Sequence, residues 1–88
     1  MIRNVRHKGL DRFLRNSDRR GIDAKYANRI KRVLDLLDVV ARAEDMAIPG
    51  YAFHPLKGDR KGVYAVAVSG NWRITFRFVD GDAIDVNL

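Results

Sequence analysis

The chain has no cysteine, two prolines and one tryptophan in 88 residues. Without cysteine there is no disulfide framework and no thiolate-held metal. No 18-residue apolar run occurs, so no membrane span is predicted. The opening MIRNVRHKG lacks the apolar centre of a signal peptide. A cytoplasmic protein that does not engage a membrane is therefore expected. His7 and His54 are the only histidines, too few for the usual zinc ligand sets, so no metal or other cofactor is expected. There is no Ser-His-Asp arrangement and no glycine motif that cradles phosphate. The length allows one domain, 1–88, with a thin core.

Acidic residues are scarce in the first half. Residues 1–44 hold 12 Lys/Arg against 6 Asp/Glu, and residues 45–88 hold 5 against 5. The whole net charge of +6 thus lies in the first half. Such a face attracts phosphate backbones or an acidic partner, although a solvated basic surface has the same composition.

Along the chain, residues 1–6 read as a short strand anchored by Ile2 and Val5. Leu10, Phe13 and Leu14 form the apolar stripe of a helix over 8–17. Asp23 suits the N-cap of a second helix, and apolar residues from Tyr26 to Ala41 recur at helical spacing. That pattern predicts a helix over 23–43, roughly 30 Å long. Ile48-Pro49-Gly50 ends it. Residues 51–55 and 63–68 read as strands flanking the loop LKGDRKG, and Ser69-Gly70 as a tight turn. Over residues 71–79 Trp72, Ile74, Phe76 and Phe78 share an inward phase, and Arg73, Thr75 and Arg77 an outward one. Asp80-Gly81 signals a hairpin. A last strand over 83–88 should point Ile84, Val86 and Leu88 inward. The order β-α-α-β-β-β(-β) predicts an α+β fold, mainly antiparallel, with both helices on one face.

His54, Lys57, Arg60, Lys61, Arg73 and Arg77 lie on neighbouring strands and their loop, and a meander can gather them on the open sheet face. A histidine with several cations suits in-line cleavage of RNA. The 2′-hydroxyl is the nucleophile, an imidazole moves a proton, and fixed cations stabilise the charged phosphorane. The same residues also suit a strand-end histidine satisfied by backbone, the commoner case for His54 taken alone, and a solvated charged loop.

The strings HPLKGDR and NWRITF, with the opening MIRNVRHKGLDRF, resemble the plasmid-maintenance killer proteins, the HigB branch of the RelE/ParE toxin superfamily. The resemblance extends over essentially the whole chain. It implies a compact RelE-like domain and ribosome-dependent, metal-independent cleavage of mRNA in the 30S A site. Partners would be a helix-turn-helix antitoxin of the HigA type, the ribosome and mRNA. By resemblance His54 and Lys57 match a catalytic loop, Arg73 a phosphate-contacting arginine, and Asn71 a position near the codon. Arg60, Lys61 and Arg77 suit backbone contacts. Arg12, Arg15, Arg29 and Arg32 suit docking to ribosomal RNA. Members of this branch typically continue into an acidic-Tyr-His ending, whereas this sequence stops at Asn87-Leu88. Weak or absent cleavage is expected of the chain as given, restored by appending that ending. Two alternatives are a ParE-like inhibitor of DNA gyrase, against which the HPLKGDR string counts, and a non-catalytic module that binds antitoxin or RNA.

Overall fold

The computed structural model describes all residues, 1–88. Helix α1 spans Lys8–Asn16 and α2 spans Ala27–Val39. Four strands follow: β1 His54–Pro55, β2 Tyr64–Ala67, β3 Arg73–Val79 and β4 Asp82–Asn87. They pair antiparallel in the order β1-β2-β3-β4. The helices cover one sheet face, and the α+β class expected from the sequence is the class observed.

The covered face is set by strand periodicity. Val66 pairs with Ile74 and Tyr64 with Phe76, and Val66, Ile74 and Phe76 are fully buried. They meet Leu10, Phe13, Ile30, Val33, Leu34 and Leu37 from the helices in one core. Each such side chain stabilises the fold by about 1.5–3 kcal/mol when removed from water. Phe53, Tyr64 and Phe76 stack at 5.6 and 5.9 Å, and Phe78 meets Phe76 edge-on at 6.0 Å. This aromatic row runs from Phe53, just before β1, across β2 to β3 and fixes the edge strand to the sheet centre.

Helix α1 begins at His7, whose Nδ1 accepts the Leu10 N–H at 3.0 Å. That bond satisfies one of the free donors of the first turn. Gly9 is required by close approach, because a Cβ there would lie 2.3 Å from the Gly21 carbonyl oxygen. The helix and the following loop thus touch backbone to backbone.

The second helix is shorter than its apolar periodicity suggests. Asp23 caps a 3-10 turn, Ala24–Tyr26, by accepting the Lys25 N–H at 3.0 Å. The α-helix proper has 13 residues, about 20 Å. It ends because Val40 is extended (ψ 150), while the Asp45 carboxylate takes the Ala41 and Arg42 N–H groups at 3.2 and 3.1 Å. Residues Ala43–Met46 then form a 3-10 turn that buries Ala43 and Met46.

Several strand expectations need correction. Of residues 51–55 only His54–Pro55 pair as a strand, since Ala52 sits at φ 49 and breaks the extended run. The loop around Ser69-Gly70 is longer than a two-residue turn. Val68 and Ser69 N–H both donate to the Trp72 carbonyl, at 2.9 and 3.1 Å. Trp72, expected in the core, is 48% exposed, because β3 starts one residue later and the loop turns the ring out. In β4 the inward residues are Ala83 and Val86, not Ile84 and Val86. Asp85 at φ 52 inserts an extra residue between the pairs Thr75–Asn87 and Arg77–Ile84, as in a β-bulge. The Asp80-Gly81 hairpin is as expected, with both central residues at positive φ (52 and 83).

The first six residues do not form a continuous strand. They lie parallel to β4 through two bridges, Ile2–Ala83 and Val5–Val86. Arg3 and Arg6 N–H donate to the Ala83 and Val86 carbonyls at 2.8 and 2.7 Å. The bulge interrupts this ladder, and Asn4 bridges the gap by accepting the Asp85 N–H at 3.0 Å. No helix is long and apolar enough to cross a membrane.

Candidate functional site

The sheet face away from the helices carries a row of paired residues: His54 with Ala65, Ala65 with Thr75, and Thr75 with Asn87. Residues paired across an antiparallel sheet share a face. Arg73 and Arg77 share it too, two positions on either side of Thr75. Ala65 and Ala67 occupy the corresponding positions of β2, and their small side chains keep the floor low.

Over this floor opens a cleft of about 680 Å³, lined by Leu56, Lys57, Arg60, Asn71, Trp72, Arg73, Thr75, Asn87 and neighbours. The Lys57–Arg60 loop forms one wall. It is kept compact by a 3-10 turn, Gly58–Arg60. The Asn71–Arg73 corner forms the other wall. Ser69 Oγ accepts the Asn71 and Trp72 N–H groups at 3.3 and 3.2 Å and fixes that corner. No acidic side chain lines the cleft. Lys57, Arg60 and Arg73 are exposed and make no ion pair. Three cations without counter-ions around one concavity attract an anion.

A second concavity of about 260 Å³ adjoins it and shares Arg60, Thr75 and Asn87. Arg6, Asp59, Val63, Arg77 and Asp85 complete its lining. Here two carboxylates stand among three arginines. Asp85 accepts from Asn4 Nδ2 at 3.1 Å and from Arg6 Nε at 3.3 Å, and lies 3.9 Å from Arg77 Nε. The Asn4 bond first, then the charges of Arg6 and Arg77, hold its carboxyl below the usual range. Asp82 is lowered likewise, chiefly by its 2.7 Å bond from Arg3.

The structure brings together Lys57, Arg60, Asn71 and Arg73 from the sequence-derived candidates. It leaves others apart. His54 stands on the same face at the β1 edge, but its side chain does not line the cleft. Its Nδ1 lies 2.9 Å from the Ala52 carbonyl. In the tautomer that donates this bond, Nε2 carries the free lone pair. Lys61 faces a separate concavity behind the loop, shared with Lys57. Arg77 lies over Gly62, where a Cβ would come within 3.2 Å of its Nη1. The four helix arginines are on the opposite side of the sheet. Arg15 pairs with Asp11 at 2.7 Å. Arg29 donates to the Ala67 carbonyl at 3.2 and 3.1 Å and to the Gly50 carbonyl at 2.6 Å, and stacks on Tyr51 at 4.8 Å. Only Arg12 and Arg32 are both exposed and free of such partners.

Thr75, Asn87 and Trp72 were not anticipated as site residues. Thr75 was foreseeable, sharing the outward phase with Arg73. Asn87 was foreseeable from the expected inward phase of Val86 and Leu88, and the bulge at Asp85 is what sets it opposite Thr75. No group of three or more His, Asp or Glu side chains that could hold a metal occurs.

A four-stranded antiparallel sheet with two helices on one face is the compact α+β architecture of a RelE-like domain. The chain belongs to the family described as the RelE-like HigB toxins of type II toxin-antitoxin systems, which it matches over residues 3–88. It is 38% identical over 87 residues to the endoribonuclease HigB of Proteus vulgaris, an alignment covering 99% of this chain and 95% of that protein. It is 32% identical over 90 residues to toxin HigB-1 of Vibrio cholerae serotype O1, covering 100% and 95% respectively. Membership in a toxin-antitoxin family implies an antitoxin partner.

Proposed function

We propose that the protein is an endoribonuclease toxin that cleaves mRNA in the ribosomal A site, using the cleft between the Lys57–Arg60 loop and the Asn71–Arg73 corner. The observation that carries this reading is the convergence of Lys57, Arg60 and Arg73 on one concavity with no acidic residue. The endoribonuclease activity named for the Proteus relative supports it.

In the proposed reaction the 2′-oxygen attacks the adjacent phosphorus and the P–O5′ bond breaks. The proton leaves O2′, and another reaches O5′. The products are a 2′,3′-cyclic phosphate and a 5′-hydroxyl. Arg73 holds the scissile phosphate through its planar fork, and Lys57 adds a point charge. Both stabilise the extra negative charge of the phosphorane, so the route assigns no step to a metal. His54 Nε2 serves proton transfer from the β1 edge. Asn71 faces the codon, while Arg60 and Arg77 contact the backbone on either side of it. Arg12 and Arg32 contact ribosomal RNA. Arg15 joins them by exchanging Asp11 for phosphate, and Arg29 contributes only the guanidinium edge left free by its carbonyl bonds. A helix-turn-helix antitoxin of the HigA type neutralises the toxin in the cytoplasm.

The test is cleavage of mRNA on programmed ribosomes, with product ends mapped, for the chain carrying an appended acidic-Tyr-His ending and for its His54→Ala and Arg73→Ala variants. Cleavage at A-site codons that both substitutions abolish is the expected result. Ribosome-free RNA cut as fast as ribosome-bound RNA would refute the ribosome dependence. Gyrase-linked DNA breaks in place of RNA cleavage would replace the reading altogether.

A further inference from the structure

The protein has eight aromatic side chains: four Phe, three Tyr and one Trp. Seven have a ring or a cation at stacking distance. Phe53, Tyr64, Phe76 and Phe78 stack on one another, while Phe13, Tyr26 and Tyr51 carry Arg19, Lys25 and Arg29 over their faces. Trp72 alone has no such partner. It is also the most exposed of the large aromatic residues, at 48%, and it stands outside the core cluster.

Its place explains why an apolar ring can be left in water. Trp72 lies between Asn71 and Arg73, both of which line the cationic cleft, and it lines that cleft itself. Its backbone is held on both sides. The N–H donates to Ser69 Oγ at 3.2 Å, and the carbonyl accepts from Val68 and Ser69 at 2.9 and 3.1 Å. Trp72 also borders a small, mainly apolar concavity with Tyr26, Ile30 and Val68. The backbone is therefore fixed while the half-exposed ring is offered to the cleft.

We infer that Trp72 is a stacking platform for one nucleobase of the bound RNA, adjacent to the phosphate held by Arg73. The inference rests on the RNA-cleft reading above and extends it from backbone contact to base contact. An indole face beside an unpaired guanidinium matches the repeating unit of a single strand, one flat base and one anion per nucleotide. Stacking of this kind tolerates every base, because each presents a π face. It fixes where the nucleotide lies without choosing its identity.

Trp72 is the only tryptophan, so its fluorescence reports on this contact alone. The experiment titrates the protein at low salt with a short single-stranded oligoribonucleotide, with anisotropy of a labelled copy as a second readout. The same titration uses a fully abasic strand of equal length. Quenching by the normal strand and not by the abasic one is expected. By anisotropy, Trp72→Ala should bind the normal strand roughly 5- to 150-fold more weakly, Trp72→Phe should recover most of that loss, and neither should differ from wild type on the abasic strand. An unchanged melting temperature for Trp72→Phe shows that the fold is intact. Binding without quenching, or an equal loss on both strands, overturns the stacking role and leaves the cleft reading standing. No anisotropy change with either strand, at any RNA concentration, overturns the inference, while the cleft reading is judged by the Arg73→Ala cleavage assay on ribosomes.

Discussion

Two groups of arginines on the same sheet meet opposite circumstances. At the N-terminal edge, Arg3 and Arg6 lie beside β4 and are met by Asp82 at 2.7 Å and Asp85 at 3.3 Å. Across the sheet, Arg60 and Arg73 face the cleft with Lys57 and meet no carboxylate. The edge cations are spent inside the protein, where they tie the first residues to the last strand. The cleft cations are kept free at a cost in mutual repulsion, which a bound anion relieves. Net charge alone would count both groups equally, and only the distribution of partners separates a structural cation from a functional one.

The sharpest way to break this contrast is Arg73→Ala in the chain carrying the appended ending. It should lower cleavage on programmed ribosomes by roughly 100- to 1,000-fold, with little change in Tm, because Arg73 has no partner to lose. A large fall in Tm would place Arg73 with the structural group. Gly9→Ala should do the reverse. Its Cβ cannot fit against the Gly21 carbonyl, so the substitution should cost about 1–3 kcal/mol of stability, at least about 4 °C in Tm. Cleavage per folded molecule should be retained, measured well below the melting transition.

Salt dependence sharpens the comparison further. If Arg60 meets an RNA phosphate, Arg60→Ala should reduce the slope of log affinity against log salt by about 0.7 for single-stranded RNA. Arg3→Ala should leave that slope unchanged while loosening the N-terminal segment.

The smallest effect expected concerns pH. Asp82 and Asp85 have folded-state pKa values lowered from 3.8, and Asp18 is lowered to about 2 by its hydrogen bonds from Arg20. A lowered carboxylate pKa means that the unfolded chain binds more protons between the two values, so stability is present above pH 3.8 and falls as acid approaches the folded-state value. Asp85→Asn should show a small Tm deficit at pH 7. That deficit should shrink as pH falls from 3.8 through the lower folded-state value, where wild-type Asp85 becomes neutral too, as followed by thermal melts across the range. A deficit independent of pH would mean that the carboxylate charge does not matter at the bulge.

Much of the fold can be read from residue patterns because the patterns are local. The alternation of Ile74 and Phe76 with Arg73, Thr75 and Arg77 is a consequence of the two-residue period of a strand. The stripe Ile30, Val33, Leu34, Leu37 follows from the helical period. Asp80-Gly81 turns the chain because its residues tolerate positive φ. The candidate site was legible to the same extent. Lys57, Arg60 and Arg73 are visible as cations on one strand phase and its loop, whereas Trp72, read by phase alone, was assigned to the core. That error arose because a phase argument presumes that the strand has already begun.

The sequence by itself determined most of the residues that leave water, where the helices and the central hairpin lie, and that the outer face of β3 is basic. Those properties depend on chemistry and spacing within a few residues. The tertiary structure alone decided that the first six residues lie parallel to β4, that Asp85 bulges and sets Asn87 opposite Thr75, and that Asp82 and Asp85 neutralise one set of arginines and not the other. It also decided that Arg29 is bound to the Gly50 and Ala67 carbonyls and that the ring of Trp72 faces water. Each of these depends on groups brought together from distant parts of the chain, and contacts of that kind have no period for a sequence to display.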